Sequence, residues 1–337
     1  MADDFAEFHD ELRSVAADLL AKDRDLDWPV LVDAGWAGLE VPDRLGGAGA
    51  GFRETAVLLD QIGRAAANTR LLGGAVLPAG VLNALPAGDT SDELLAGLAD
   101  GATPLAVAFG DFSFDSGQLT GRAGFVPDAA DADQLLVCTD TAVVLARAAD
   151  LTVRAQPVVD ETRRLATVEA DAAPAEKLAD DPSLTRAVQQ RAAVAIACDS
   201  LGVAEQMLTA TVDYVKVRRQ FDRPIGSFQA VKHACADMLV GIEVSRQLVA
   251  DAVAAVADQQ DAAVPAAMAK SHACAVAVDV AGKAMQLHGG IGYTWESGIH
   301  AYLKRATLNR ALFGSTAAHR KTIASRYLPS SLRPKGT

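Results

Sequence analysis

A chain of 337 residues with net charge −12, half of it hydrophobic and 5% aromatic, is too long for one small core, and two or three packed units are expected. The acidic balance argues against a nucleic-acid surface, which needs concentrated basic charge, but leaves room for an anionic substrate met by a local Arg. No apolar run approaches the roughly 18–20 residues of a membrane span. Met1 to Asp10 is acidic, unlike a secretory signal or a basic transit peptide, so a cytoplasmic protein is expected.

Residues 1–100 read as a helical domain. Phe8, Leu12, Val15, Leu19 and Leu20 share one helical face, and a further helix starts at Ala56 after the turn-rich Leu45 to Gly51. That glycine segment lacks a preceding strand and a Gly-Lys-Ser/Thr ending, so it is an inter-helix connection rather than a phosphate loop. From about Asp100 the pattern changes to short β-prone runs, Leu105–Phe109, Gln118–Arg122, Leu135–Thr139, Ala142–Arg147 and Leu151–Val159. They predict a small antiparallel β-domain over 101–178, with Ala172 to Pro182 as a linker. Helix returns over 182–330 in four long segments, Leu184–Arg218, Phe228–Asp258, Val264–Gly289 and Gly298–Tyr327, an antiparallel four-helix bundle. The fold class is therefore α+β, mainly α. The four cysteines, Cys138, Cys198, Cys235 and Cys274, have no CxxC spacing and read as small buried residues; no metal is expected.

Two clusters carry chemistry. In Tyr214 to Gln229 a helix ends in Arg218-Arg219, Pro224 and Gly226 break it, and another helix starts near Ser227. Two guanidiniums beside a fresh helix N-terminus make an anion site; ordinary helix-end chemistry, with Ser227 as N-cap, explains the same residues. In Gln286-Leu287-His288-Gly289-Gly290 the glycines let a flat or phosphorylated ligand approach the main chain, and a plain helix C-cap accounts for them almost as well. His288 alone reads as a structural histidine.

Taken together, in this order, the two clusters resemble the acyl-CoA dehydrogenase family. Trp36-Ala37-Gly38-Leu39-Glu40-Val41-Pro42 with Leu45-Gly46-Gly47 is similar to its opening helical domain, and Gly117 to Val126 to a strand of its β-domain. The resemblance implies FAD, between bundle and β-domain, and an acyl-CoA substrate. It places Arg218 on the FAD pyrophosphate, Phe221 and Gln229 along the adenosine half, Gln220 among the cofactor-binding residues, and Gln286, Leu287, His288, Gly289 and Gly290 on the cofactor from a neighbouring subunit. Ser315, Thr316 and Ala317 join them. It also implies an oligomer, and an electron-transferring flavoprotein as electron acceptor.

The chain departs from that pattern at the base. The family removes an α proton with a Glu that directly precedes Gly-Thr; here Phe313 precedes Gly314-Ser315. Other branches place the Glu on the first bundle helix, where counting back from Arg218 reaches Ala192, preceded by Gln189, Gln190 and Arg191. Asp199, two turns further along, is the nearest in-chain candidate, and Glu296 lies in a turn common to the family. The family's Thr-Glu-Pro and Gly-Ser-Asp loop is missing around Ala106 to Ser116, and Phe125 replaces a Trp normally set against the flavin. Such losses resemble one half of actinobacterial heterotetrameric dehydrogenases acting on steroid side chains. That resemblance implies an α2β2 complex in which a partner supplies the Glu. The alternatives are a homo-oligomeric enzyme with a non-standard base and a non-catalytic structural subunit.

Overall fold

The computed structural model describes residues 2–327; Met1 and residues 328–330 of the expected bundle lie outside the described residues. By packing, the chain forms two compact units. One comprises Met1–Ala21, Ala56–Ala67 and Ala193–Thr337, the other Lys22–Thr55 and Asn68–Ala192.

The first elements are α1 (Ala2–Lys22), β1 (Asp25–Leu26), α2 (Trp28–Asp33), α3 (Phe52–Ala65), β2 (Asn68–Thr69), α4 (Leu77–Leu82) and α5 (Asp89–Ala99). On α1 the buried stripe runs through Ala16 and Leu20, while Phe8 and Val15, expected on that face, are exposed. The glycine-rich connection before α3 folds back on residues 38–41. The Ala48, Gly49 and Ala50 amides donate to the carbonyls of Gly38, Val41 and Leu39. Those amides are engaged by the chain itself, as an inter-helix connection requires and a phosphate cradle does not permit.

The strands follow as β3 (Leu105–Phe109), β4 (Asp111–Asp115), β5 (Gln118–Pro127), β6 (Gln134–Cys138), β7 (Val143–Arg147), β8 (Thr152–Ala155), β9 (Leu165–Pro174) and β10 (Glu176–Ala179). They make two four-stranded sheets, ordered β10-β7-β6-β3 and β4-β5-β9-β8. Alternate side chains of both sheets share one core, with Ala106, Leu135 and Val144 from the first and Leu119, Ala166 and Val168 from the second. The sheets are antiparallel except that β3 pairs with β6 in parallel. The expected linker at 172–182 is instead the end of β9 and all of β10, which pair with β5 and β7. Ala and Glu in these stretches have weak strand propensity, and with only Ala173 buried there it is backbone pairing to β5 and β7 that holds them extended. Only Gly110 separates β3 from β4, and a Cβ there would come within 2.4 Å of the Arg122 carbonyl oxygen, so the tight connection needs a glycine.

One buried carboxyl in this unit has a pH signature. Asp128, in a left-handed conformation after β5 (φ 57°), accepts the Gly73 amide at 3.0 Å, in the π-helical turn Leu71–Val76. Burial pushes its carboxyl up to about 6, opposed by the nearby Arg70 guanidinium. A raised folded-state value means stability is fully present below the unfolded value and lost as pH climbs through about 6. Wild type should therefore gain on the order of 1 kcal/mol over Asp128→Asn between pH 7 and pH 5. Urea midpoints of both proteins at the two pH values check this; a difference that does not change with pH contradicts it.

Five further helices and a hairpin follow among the described residues: α6 (Pro182–Val217), β11 (Arg219–Gln220), β12 (Arg223–Pro224), α7 (Gln229–Ala257), α8 (Ala263–His288), α9 (Ile299–Ala311) and α10 (Thr316–Ser325). The last predicted helix is thus two. Phe313 and Gly314 both take positive φ (52° and 102°), which no α-helix passes through, and Ser315 caps α10 by accepting the Ala318 amide. Gly63 of α3 and Gly202 of α6 permit a close crossing: a Cβ on either would stand 2.0 Å from the other helix's backbone, at Asp199 O and Asp60 O respectively. Ala-rich α8 packs against α7, α9 and α10.

Candidate functional site

The two clusters meet at one end of the bundle. Tyr214, in the last turn of α6, stacks on His288 in the last turn of α8 at 4.3 Å between ring centroids, and its hydroxyl donates to the His288 carbonyl at 3.3 Å. His288 is buried, with Nδ1 2.8 Å from the Ala284 carbonyl, so it fixes the end of α8 as a structural histidine would. Tyr214 is the joint that sequence reasoning passed over. An aromatic one turn before the basic end was its only signal.

Around that joint the two arginines differ. Arg219 donates to the Asp222 carbonyl across the β11–β12 hairpin at 2.5 Å, whereas Arg218 is exposed and, among the described residues, has no ion-pair partner. The hairpin tip, Phe221-Asp222, has two successive left-handed residues (φ 52° and 62°), usual for Asn-Gly but strained for a phenylalanine. The strain presents Phe221 to solvent, 84% exposed and edge-on to Phe228. Ser227 does not cap α7: its hydroxyl donates to the Pro224 carbonyl at 2.7 Å, and the N-cap is Phe228, which has no side-chain cap bond. Gln229 therefore opens a helix whose first amides lack a side-chain acceptor, beside an uncommitted guanidinium.

The glycines fit a close-lying ligand. A Cβ built on Gly289 or Gly290 meets nothing within 4 Å, and both glycines are exposed, as is Gln286; Leu287 is half-buried. Gly292 beyond them is different, because a Cβ there would lie 2.6 Å from the Met285 carbonyl oxygen. An open glycine surface, a free Arg, an uncapped helix start and an exposed aromatic suit a flat cofactor carrying a pyrophosphate.

Ser315, Thr316 and Ala317 do not join this cluster within one chain. Their turn is fastened to Lys270, and the stretch of α8 from Lys270 to His288 is roughly 27 Å long at an α-helical rise. Each chain thus carries two separate groups.

The base positions hold no usable carboxylate. Phe313 occupies the left-handed turn after α9, and Ala192 is fully buried. Beside Ala192 stands a carboxylate that sequence reasoning missed, Glu40, but it pairs with Arg191 and accepts the Thr55 hydroxyl at 2.6 Å. Asp199 is corrected as a candidate base. Its side chain and that of Arg305 are each 1% exposed, and Arg305 donates to both carboxylate oxygens, Nε to Oδ1 at 3.0 Å and Nη2 to Oδ2 at 2.6 Å. The Asn309 amide adds a 2.6 Å bond to Oδ1. A carboxylate so engaged is a structural anion, not a proton acceptor. Phe125, also left-handed (φ 57°), sits in the β5–β9 bulge and is half exposed.

Comparison with known proteins shows the family of the chain. Residues 1–102 match the acyl-CoA dehydrogenase N-terminal domain and residues 184–328 its C-terminal domain. Acyl-CoA dehydrogenase IpdE2 of Mycobacterium tuberculosis is 36% identical over 85% of this chain and 83% of its own length. Among solved structures, a variant of the steroid ACAD Tcur3481-Tcur3483 is 28% identical with TM-score 0.86, covering 95% of this chain and 97% of that one. The ChsE4-ChsE5 complex from Mycobacterium tuberculosis is 25% identical with TM-score 0.87, covering 96% and 98%. No helix among the described residues is long and apolar enough to cross a membrane. The chain belongs to the acyl-CoA dehydrogenase family.

Proposed function

We propose that this chain is one subunit of a heteromeric acyl-CoA dehydrogenase that introduces an α,β double bond into a CoA thioester, with the catalytic Glu supplied by an unlike partner in an α2β2 complex. The observation that carries the reading is Phe313 in the left-handed turn where the family holds its base, with Asp199 locked by Arg305 and Asn309. A phenyl ring accepts no proton, and a buried carboxylate paired with an arginine is held as the anion, a poor proton acceptor.

When bound, FAD supplies the hydride acceptor. Arg218 holds its pyrophosphate, Gln220, Phe221 and Gln229 line the adenosine half, and Gln286 to Gly290 offer bare backbone beside it. Ser315, Thr316 and Ala317, at the other end of α8, serve a different cofactor molecule, which favours an oligomer with composite sites. Likeness to the steroid ACAD and to the ChsE4-ChsE5 complex supports a bulky, ring-bearing acyl group and an unlike partner. Electrons leave to an electron-transferring flavoprotein.

Co-expression with a longer dehydrogenase homologue that carries the Glu tests the assembly. A stable complex with two copies of each chain and bound FAD is expected. A homo-oligomer that ignores the homologue contradicts the reading.

A further inference from the structure

Among the buried polar groups of the helical unit, Lys270 has no part in the chemistry described so far. It lies on α8 with only 1% exposure, among Ala266, Ala267, Ala269, Ala273 and Cys274. Burying an ammonium is costly unless all its protons find acceptors. Lys270 Nζ finds three carbonyls, those of Asn309 at 2.9 Å, Arg310 at 3.4 Å and Gly314 at 3.3 Å. Two are unsatisfied acceptors at the end of α9, the negative pole of that helix, and the third lies past the positive-φ pair Phe313-Gly314.

A second fastener acts on the same turn. His319 of α10 has Nε2 3.0 Å from the Phe313 carbonyl oxygen, so Nε2 carries the proton and donates. Its ring also covers Gly314, where a Cβ would stand 2.8 Å from Nε2. From the other side, Asn309 joins the clamp to the Asp199 network, donating to Asp199 Oδ1 and to the Ser200 hydroxyl at 3.2 Å. The carbonyls of Asn309, Arg310 and Gly314 are thus tied to α8, and those of Phe313 and Ser315 to α10. A left-handed phenylalanine is strained and persists only where its surroundings over-determine it.

We infer that Lys270, seconded by His319, is a positioning residue: it holds the turn 312–315 in one conformation and so sets where Phe313, Ser315 and Thr316 face. The assignment rests on the proposed function in taking that turn to border a cofactor. Its physical content, a rigid preset turn rather than a pliant link between α9 and α10, stands independently. Preorganisation of this kind acts on binding and orientation more than on global stability.

The test compares wild type, Lys270→Met and His319→Ala, each co-purified with its partner subunit, by FAD titration and by amide hydrogen exchange. Exchange over residues 309–318 should rise about tenfold or more in both variants, while the Gln286–Gly290 amides at the far end of α8 stay as in wild type. The Kd for FAD should weaken about tenfold in Lys270→Met and about threefold in His319→Ala. Unchanged exchange in that segment, or an unchanged Kd in folded variants, overturns the assignment. Should Lys270→Met fail to fold, His319→Ala, altering a half-buried ring, decides by the same two readings. If wild type itself binds no flavin, the proposed function fails, and the exchange data alone uphold or overturn the clamp.

Discussion

Arg218→Ala should leave the fold intact and strip the protein of flavin. Arg218 is exposed at the end of α6 and has no ion-pair partner among the described residues, so its removal breaks nothing the fold depends on. A charge-assisted contact to a pyrophosphate contributes about 1.5–3 kcal/mol, and FAD affinity should fall about ten- to a hundredfold. Arg219→Ala makes a useful contrast. Its guanidinium is engaged by the Asp222 carbonyl, so it should loosen the β11–β12 hairpin and lower affinity only through the strained Phe221 tip. Flavin-to-protein ratios after gel filtration, with circular dichroism as the control, measure both. A flavin content unmoved by Arg218→Ala is what a purely structural subunit would give.

Asp199→Asn should destabilise the helical unit rather than silence a catalyst. The substitution leaves Arg305 buried without its counter-charge, and breaking a buried pair from one side costs about 3–5 kcal/mol. Arg305 also donates to the Ala67 carbonyl at 2.9 Å, so the damage spreads to the end of α3. Removing both charges together, as Asp199→Leu with Arg305→Met, should recover much of the loss, because neither ion is then stranded. Denaturant midpoints of the single and double variants make the comparison. A homomeric enzyme using Asp199 as base predicts the opposite, with full stability and no turnover in Asp199→Asn.

Sequence periodicity placed α6, α7 and α8 to within two residues at each end, because long Ala- and Leu-rich segments between Pro, Gly and Asp leave little choice. It failed where packing overrode propensity. β9 and β10 are Ala- and Glu-containing strands held by ladder partners β5 and β7 elsewhere in the chain, and the parallel β3–β6 pairing has no local signature. The break after α9 was readable in principle, since Gly314-Ser315 combines a left-handed residue with an N-cap, but a helical period continued across it. At the proposed site, the resemblance to the family is what singled out Phe313 and Ala192 as positions where a carboxylate is expected. What residue types could not reveal was pairing: Asp199 looked available until Arg305 and Asn309 arrived from a helix about a hundred residues later. Lys270 left one usable signal, a lone charge in an alanine-lined helix face. Phe125, Phe221 and Phe313, each singled out at a site position, all adopt left-handed conformations, which only backbone geometry can disclose.

The central claim, a subunit without its own base, is tested most directly by anaerobic flavin reduction. FAD-loaded chain alone, and the complex with its partner, are mixed with a ring-bearing acyl-CoA, and flavin bleaching is followed by stopped flow. Rapid bleaching should occur only in the complex and should vanish when the partner's active-site Glu is changed to Gln. Rapid bleaching by this chain alone would show that it carries a base of its own and would contradict the account.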